Sequence, residues 1–254
     1  MVVTPGLLGA FPILKPLPQA VLDHLAQRSS LRKFSRRSVV LSAGELEESV
    51  CFLFEGRLQG VDFTIDGREV GLYFVEPGDF CGELALFDEE PQAEFVIALT
   101  STVAVFVPAR ELREVVHKNP SIMNVLGIKL AKKVRQMTFQ RSLLGLPNIG
   151  QRVCCQLWLL LSKRSSQRAG KEDLMGRNDG HLRKSLGSAE KYQEIPNPPT
   201  HMEIAIMLNI SRETVTRVFQ TLQNRQIVRR AGAAKLIIQD PTALKEFAEG
   251  KRNL

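Results

Sequence analysis

A chain of 254 residues with 44% hydrophobic side chains is long enough for two domains, each with a core of its own. No apolar run approaches the roughly 20 residues needed to span a bilayer, and the first residues lack a signal peptide's charged start and apolar stretch, so a cytoplasmic protein without membrane contact is expected. The net charge of +7 is unevenly placed: residues 1–118 hold 11 basic and 17 acidic side chains, residues 119–146 hold 5 and none, and residues 147–254 hold 18 and 10.

That asymmetry suits a carboxy-terminal part that neutralises phosphates and an amino-terminal part that does something else. Catalysis is not expected. The sequence has no glycine-rich phosphate loop and no nucleophile with a paired histidine, and its four histidines, His24, His117, His181 and His201, are not grouped. Cys51, Cys81, Cys154 and Cys155 form no Cys-x-x-Cys pair or metal-ligand spacing, and read as small buried hydrophobes. No metal or cofactor is expected.

Between about residues 31 and 107, apolar side chains alternate with a period of two: Val50, Phe52 and Phe54; Val61, Phe63 and Ile65; Val70, Leu72 and Phe74; Val103, Val105 and Val107. Such alternation predicts half-buried strands. Gly44, Gly56, Gly67 and Gly78 punctuate them at spacings of 11 or 12, as turns with positive φ would, and Asp66-Gly67 signals a hairpin. A small roll or barrel fits, though spacing alone leaves an unrelated sandwich open. No Lys, Arg or His occurs between Glu69 and Ala109, where Glu69, Glu76, Asp79, Glu83, Asp88, Glu89, Glu90 and Glu94 crowd together. A field of that sign repels phosphate.

After Asn119-Pro120, a good helix start, Met123, Leu126, Leu130, Val134, Met137, Arg141 and Leu144 recur in steps of three and four. That seam predicts a long helix whose stripe makes a homodimer, with Lys129, Lys132, Lys133 and Arg135 at its flanks; packing of the same stripe on the chain's own roll is the alternative. Leu146-Pro147-Asn148 breaks the helix at a candidate hinge or domain boundary, and a second helix from about Ile149 buries Val153, Leu157, Trp158 and Leu161. Residues 162–199, rich in Ser, Gly, Asn, Lys and Arg, read as a mobile loop. Its Lys163, Arg164, Arg168, Arg183 and Lys184 either touch a nucleic-acid backbone or are simply solvated.

Thr200-His201-Met202-Glu203 fits the capping box of a helix that buries Ile204, Ala205 and Leu208 and turns at Asn209, a residue that tolerates positive φ. Ser211 caps a second helix with Val215, Val218, Phe219 and Leu222 on its inner side and Arg212, Glu213, Thr216 and Arg217 on the outer. Arginine can donate twice to guanine O6 and N7, and glutamate can accept from cytosine N4, so the outer side suits the major groove. Ile227-Val228 and Leu236-Ile237-Ile238, flanked by Arg229, Arg230 and Lys235, read as a basic two-stranded wing.

Ser211 through Arg217, preceded by Thr200-x-x-Glu203-Ile204-Ala205, resembles the DNA-binding motif of the cyclic AMP receptor protein and fumarate-nitrate reduction regulator (CRP/FNR) family. Pro77-Gly78-Asp79-Phe80-x-Gly82-Glu83-Leu84-Ala85-Leu86-Phe87 is similar to the cassette of its nucleotide-binding roll. The resemblance covers nearly the whole chain. It implies an α+β fold with a cyclic-nucleotide-binding-type β-roll at 1–118, a dimerisation helix at 119–146 and a winged helix-turn-helix at 147–254. It also implies double-stranded DNA, a second copy and RNA polymerase as partners. Residues equivalent to Arg212, Glu213 and Arg217 would contact bases, and those equivalent to Thr200 and Ser211 phosphates. His201 stands where an arginine is usual, and Thr216 where a close relative has glycine.

An effector pocket would involve Gly82, Glu83, Leu84 and Ala85. Gln92 and Ala93 stand where relatives place an arginine and a Ser or Thr on the phosphate, so ordinary cyclic AMP binding is not expected. Arg141 is a possible contributor from a partner subunit, which leaves a modified nucleotide or a cyclic dinucleotide open beside a roll with no ligand. The amino-terminal cysteine cluster of iron-sulfur members is absent, and Glu83 stands where a heme-binding relative would want a histidine. A different class of function also stays open, namely a ligand-binding or protein-interaction module whose helix-turn-helix serves assembly.

Overall fold

The computed structural model describes residues 2–88, 90–173, 193–232 and 235–254, with side chains described for all of these except 163–173. The chain divides into two compact units, Met1–Phe139 and Gln140–Leu254.

The first unit begins with two short helices, α1 (Pro5–Gly9) and α2 (Gln19–Arg28). Eight strands follow: β1 (Ser30–Phe34), β2 (Val39–Leu41), β3 (Ser49–Glu55), β4 (Leu58–Phe63), β5 (Glu69–Val75), β6 (Phe80–Cys81), β7 (Phe95–Ala98) and β8 (Thr102–Pro108). They form two four-stranded antiparallel sheets, ordered β1-β8-β3-β6 and β2-β7-β4-β5. Cys51, Leu53, Ala104 and Phe106 point between the sheets with Leu58, Val96 and Ala98. Val50, Phe52, Val105 and Val107 point the other way, onto α1, α2 and α3 (Ala109–Lys118). Because β3 and β8 are covered on both faces, their sequences read as nearly continuous apolar runs.

The glycine turns have the expected left-handed backbone, with φ of 80° at Gly44, 97° at Gly56, 78° at Gly67 and 88° at Gly78. At Gly56 space adds a second constraint: a Cβ there would lie 2.5 Å from the Ser101 carbonyl oxygen. Only glycine fits.

Helix α4 (Pro120–Leu144) is a single 25-residue helix, and the division between the units falls within it. Its inward stripe differs from the expected seam. Ile122 and Leu126, 2% and 1% exposed, complete the roll's helical core with Met123 packed against them. The next two positions on that stripe are Lys129 and Lys133, which face the roll and not the flanks. Leu126 is therefore buried and Met123 half-buried in their own chain, because the open side of the roll needs an apolar cover. Leu130 is half-buried, and Val134, Met137 and Leu144 are exposed.

In the second unit α5 runs from Ile149 to Asp173, and then come β9 (Gln193–Pro196), α6 (His201–Leu208), α7 (Arg212–Asn224), β10 (Val228–Ala231), β11 (Lys235–Ile238) and α8 (Pro241–Ala248). The expected loop at 162–199 is thus helical as far as Asp173 and ends in a strand. Arg183 and Lys184 lie outside the described residues, as do the side chains of Lys163, Arg164 and Arg168. Strand β9 joins the wing in a three-stranded sheet ordered β10-β11-β9, with Leu236 opposite Ile195. Val153, Leu157 and Leu161 of α5 pack with Ile204, Leu208, Val215, Phe219 and Leu222 in one core. Among the described residues, no helix is long and apolar enough to cross a membrane.

Leu126 offers a direct check on where α4 packs. Leu126→Ala should lower the stability of the first unit by about 2–5 kcal/mol, read by urea unfolding, as truncation of a fully buried leucine does. A change below about 1 kcal/mol would mean that Leu126 is not part of that core.

Candidate functional site

Helix α6 is held at its start by a complete capping box: the Glu203 amide donates to Thr200 Oγ1 at 3.2 Å and the Thr200 amide to Glu203 Oε2 at 2.9 Å. Its end turns through Asn209 at φ 49°, so α7 can begin two residues later. The Ser211 hydroxyl caps α7, accepting from the Thr214 amide at 3.2 Å. Val215, Phe219 and Leu222 are buried, which fixes the rotation of the helix. Arg212, Glu213 and Arg217 are left exposed.

Glu213 lies in the first turn of α7, where its own amide and then the Ser211 hydroxyl hold its carboxyl below the usual carboxylate range. It is an ionised acceptor at neutral pH, flanked by two arginine donors. Arg212, Arg217 and the exposed Arg229 of β10 hold no ion pair among the described residues. Arg230 is half-buried and donates to the Pro199 carbonyl at 3.4 Å, and Lys235 pairs with Glu194 at 3.3 Å.

His201 and Thr216 are placed differently from Arg212, Glu213 and Arg217. The Thr216 hydroxyl donates to the Arg212 carbonyl at 3.0 Å, and His201 Nδ1 lies 3.0 Å from the same hydroxyl oxygen. With its proton committed, the hydroxyl accepts from Nδ1–H, which sets the tautomer of the ring. The imidazole also stacks on Phe219 at 4.5 Å between centroids. Burial first, then the charges of Arg230 and Arg212, hold the His201 pKa below its ordinary value. His201 is thus a neutral strut between α6 and α7.

In the roll, Gly82 turns through φ 78° at the end of β6 and starts a 3-10 turn, Glu83–Leu86. Glu83 is 1% exposed, Leu84 and Ala85 are half-buried, Gln92 is buried and Ala93 is exposed. The Gln92 main chain bonds to Glu45 and Gly44, at 2.8 and 2.9 Å. Arg141 is exposed and belongs to the second unit.

The cation at Glu83 comes from α4. Lys133 Nζ lies 3.2 Å from Glu83 Oε1 and 3.3 Å from Glu94 Oε1, and 4.0 Å from the centroid of the Tyr73 ring. The Tyr73 hydroxyl donates to the same Glu94 oxygen. One turn earlier, Lys129 binds the Asp79 carboxylate and the Phe80 carbonyl and sits over the Phe80 ring. Burial alone would lower the Lys133 pKa, but the two carboxylates outweigh it and raise it. Burial, followed by Cys81 and Glu94, pushes Tyr73 well above the usual phenol range, so it remains a neutral donor. Tyr73, Glu94, Lys129 and Lys133 were not among the expected site residues. Their signal in the sequence is the pair of lysines continuing the apolar stripe of Ile122 and Leu126 opposite a segment that has acids and no base.

The four cysteines are buried free thiols, and the described residues contain no group of three or more His, Cys, Asp or Glu able to hold a metal ion.

The chain was compared with known proteins. The cyclic nucleotide-binding domain family matches residues 31–119, and the Crp-like helix-turn-helix domain family matches residues 151–247. The cAMP-activated global transcriptional regulator CRP of Escherichia coli O6:H1 is 24% identical over 219 residues, covering 86% of this chain and 94% of that protein. The cAMP-activated regulator Vfr of Pseudomonas aeruginosa is 25% identical over 220 residues, covering 85% and 92%. Among solved structures, FixK2 from Bradyrhizobium japonicum aligns with a TM-score of 0.66 at 17% identity, covering 86% of this chain and 96% of its own. The c-di-GMP responsive regulator CLP of Xanthomonas campestris aligns at 0.61 and 18%, covering 87% and 99%. A roll with a nucleotide-domain signature and a capped, arginine-bearing reading helix, matched together along most of the chain, place this protein in the CRP/FNR family of DNA-binding transcription regulators.

Proposed function

We propose that the protein works as a cytoplasmic homodimer on a twofold-symmetric DNA site, reads bases with Arg212, Glu213 and Arg217, and contacts RNA polymerase or blocks it. The observation that carries this reading is the outer side of α7, where two arginines and an ionised glutamate stand exposed beside a buried stripe that fixes their direction. One reading helix covers a half-site, and two spaced about 34 Å apart read a palindrome. The surface for a second copy includes the exposed Val134 and Met137 of α4 in the first unit. The protein acts by binding, not catalysis.

Ordinary cyclic AMP binding is not part of this proposal. Gln92 and Ala93 offer no cation to a phosphate, and the nearest lysine at Glu83 is already shared between two carboxylates. Losing a bidentate arginine alone removes about 1.5–3 kcal/mol per charge-assisted hydrogen bond.

Selection of DNA from a random pool by the purified protein should enrich a palindrome. Arg217→Ala should then weaken binding to the selected site by about 1–3 kcal/mol and relax preference at one base pair. Equal losses on selected and random DNA would contradict base reading.

His201 gives an independent check through pH. Its folded pKa lies below the ordinary value of 6.5, so the unfolded chain binds the proton more readily. The contribution of this group to stability is full above about pH 6.5 and is lost as the pH falls through the folded value. Thermal unfolding between pH 7.5 and 5 should therefore show a larger acid loss in wild type than in His201→Gln. Because a neutral imidazole releases no counterion, His201→Gln should leave the salt slope of DNA binding unchanged, whereas loss of a phosphate-contacting arginine reduces it by about 1.

A further inference from the structure

Lys133 meets the roll in the geometry of a bound ligand. Its ammonium has a carboxylate on either side, Glu83 Oε1 at 3.2 Å and Glu94 Oε1 at 3.3 Å, with the Tyr73 ring 4.0 Å away. Two carboxylates and one aromatic face around a single N–H donor group are what recognition of a primary ammonium requires.

Three further features distinguish a receptor from an ordinary ion pair. The charges do not balance, since two carboxylates, 1% and 7% exposed, meet one lysine. Glu83 Oε2 is buried without a hydrogen-bond partner among the described residues, so acceptor capacity is left over inside the site. Finally, the Lys133 side chain, 17% exposed, reaches in from a separate element on a flexible four-carbon stem. A phosphate placed here would face both carboxylates, whereas an amine would replace the lysine group for group.

We propose that Glu83, Glu94 and Tyr73 form a receptor for a primary alkylammonium group, that Lys133 fills it from within as a built-in ligand, and that the effector class admitted by this roll is an amine-bearing cation. The receptor rests on the first unit alone and is independent of whether the reading helix meets DNA.

The test is chemical rescue in the full-length protein. Lys133→Ala empties the box, and thermal unfolding is followed while n-butylammonium chloride is added, with sodium chloride at equal ionic strength as the reference. The expected result is a lowered Tm that rises saturably with n-butylammonium and not with sodium. The rescue should disappear in Lys133→Ala/Glu94→Gln, which keeps the shape of the box and removes one charge. Wild type, whose site is already occupied, should bind n-butylammonium at least about tenfold more weakly than Lys133→Ala, because only the fraction with Lys133 withdrawn can accept it. If Lys133→Ala is unfolded without amine, the same titration reads refolding, and recovery supports the receptor. No response beyond the sodium reference, equal affinity in wild type and variant, or stabilisation of wild type by micromolar cyclic AMP would each overturn it.

Discussion

A buried carboxylate is costly unless a cation meets it, and the roll contains no basic residue between Glu69 and Ala109 to do so. Glu83, 1% exposed, obtains its cation from a helix 50 residues further along the chain. Isolating such a group would cost several kcal/mol, so the position of α4 against the roll is fixed electrostatically as well as by the burial of Ile122 and Leu126. Lys129 repeats the arrangement one turn earlier, on Asp79 and the Phe80 ring. Four residues on one stripe thus set the rotation of the helix. Once that rotation is set, Val134 and Met137 must stand outside the roll contact, where they are exposed. The exposure of these two side chains follows from where the lysines had to go.

The parts of the fold legible in the sequence are those fixed by neighbours. The capping box of Thr200 and Glu203 closes over three residues, Asn209 answers a single backbone requirement, and the Ser211 cap depends only on Thr214. The glycine turns of the roll are equally local, because each needs one residue with positive φ. What escaped depends on distant partners. Strand β9 lies in a polar stretch with one buried apolar side chain, Ile195, and becomes a strand because β11 offers it an edge. The extension of α5 to Asp173 crosses Ser, Lys and Arg residues without the apolar period that marks a helix. Lys129 and Lys133 were legible as helix residues but not as inward ones, since lysine in an apolar stripe is ordinarily a break in it.

His201 illustrates the same limit inside the site. Its position at the start of α6 is readable from the capping box. The bond to Thr216, 15 residues away, is not visible until the two helices are packed. That bond ties the start of α6 to the outer side of α7. On α7 the Thr216 side chain is met by a ring on α6 that hydrogen-bonds it and covers Phe219.

The two units solve opposite electrostatic problems. The roll has acids to bury and must import cations, so its lysines are held in place by carboxylates and rings. In the second unit Arg212, Arg217 and Arg229 are exposed and hold no ion pair among the described residues, while Lys235 pairs with Glu194 and the half-buried Arg230 donates to the Pro199 carbonyl. Glu213 is the one acid allowed among them, and the start of α7 keeps it ionised without neutralising its neighbours. With the Thr216 hydroxyl already donating to the Arg212 carbonyl and accepting from His201, the side chains left exposed among the four expected on the outer side of α7 are the two arginines and that glutamate.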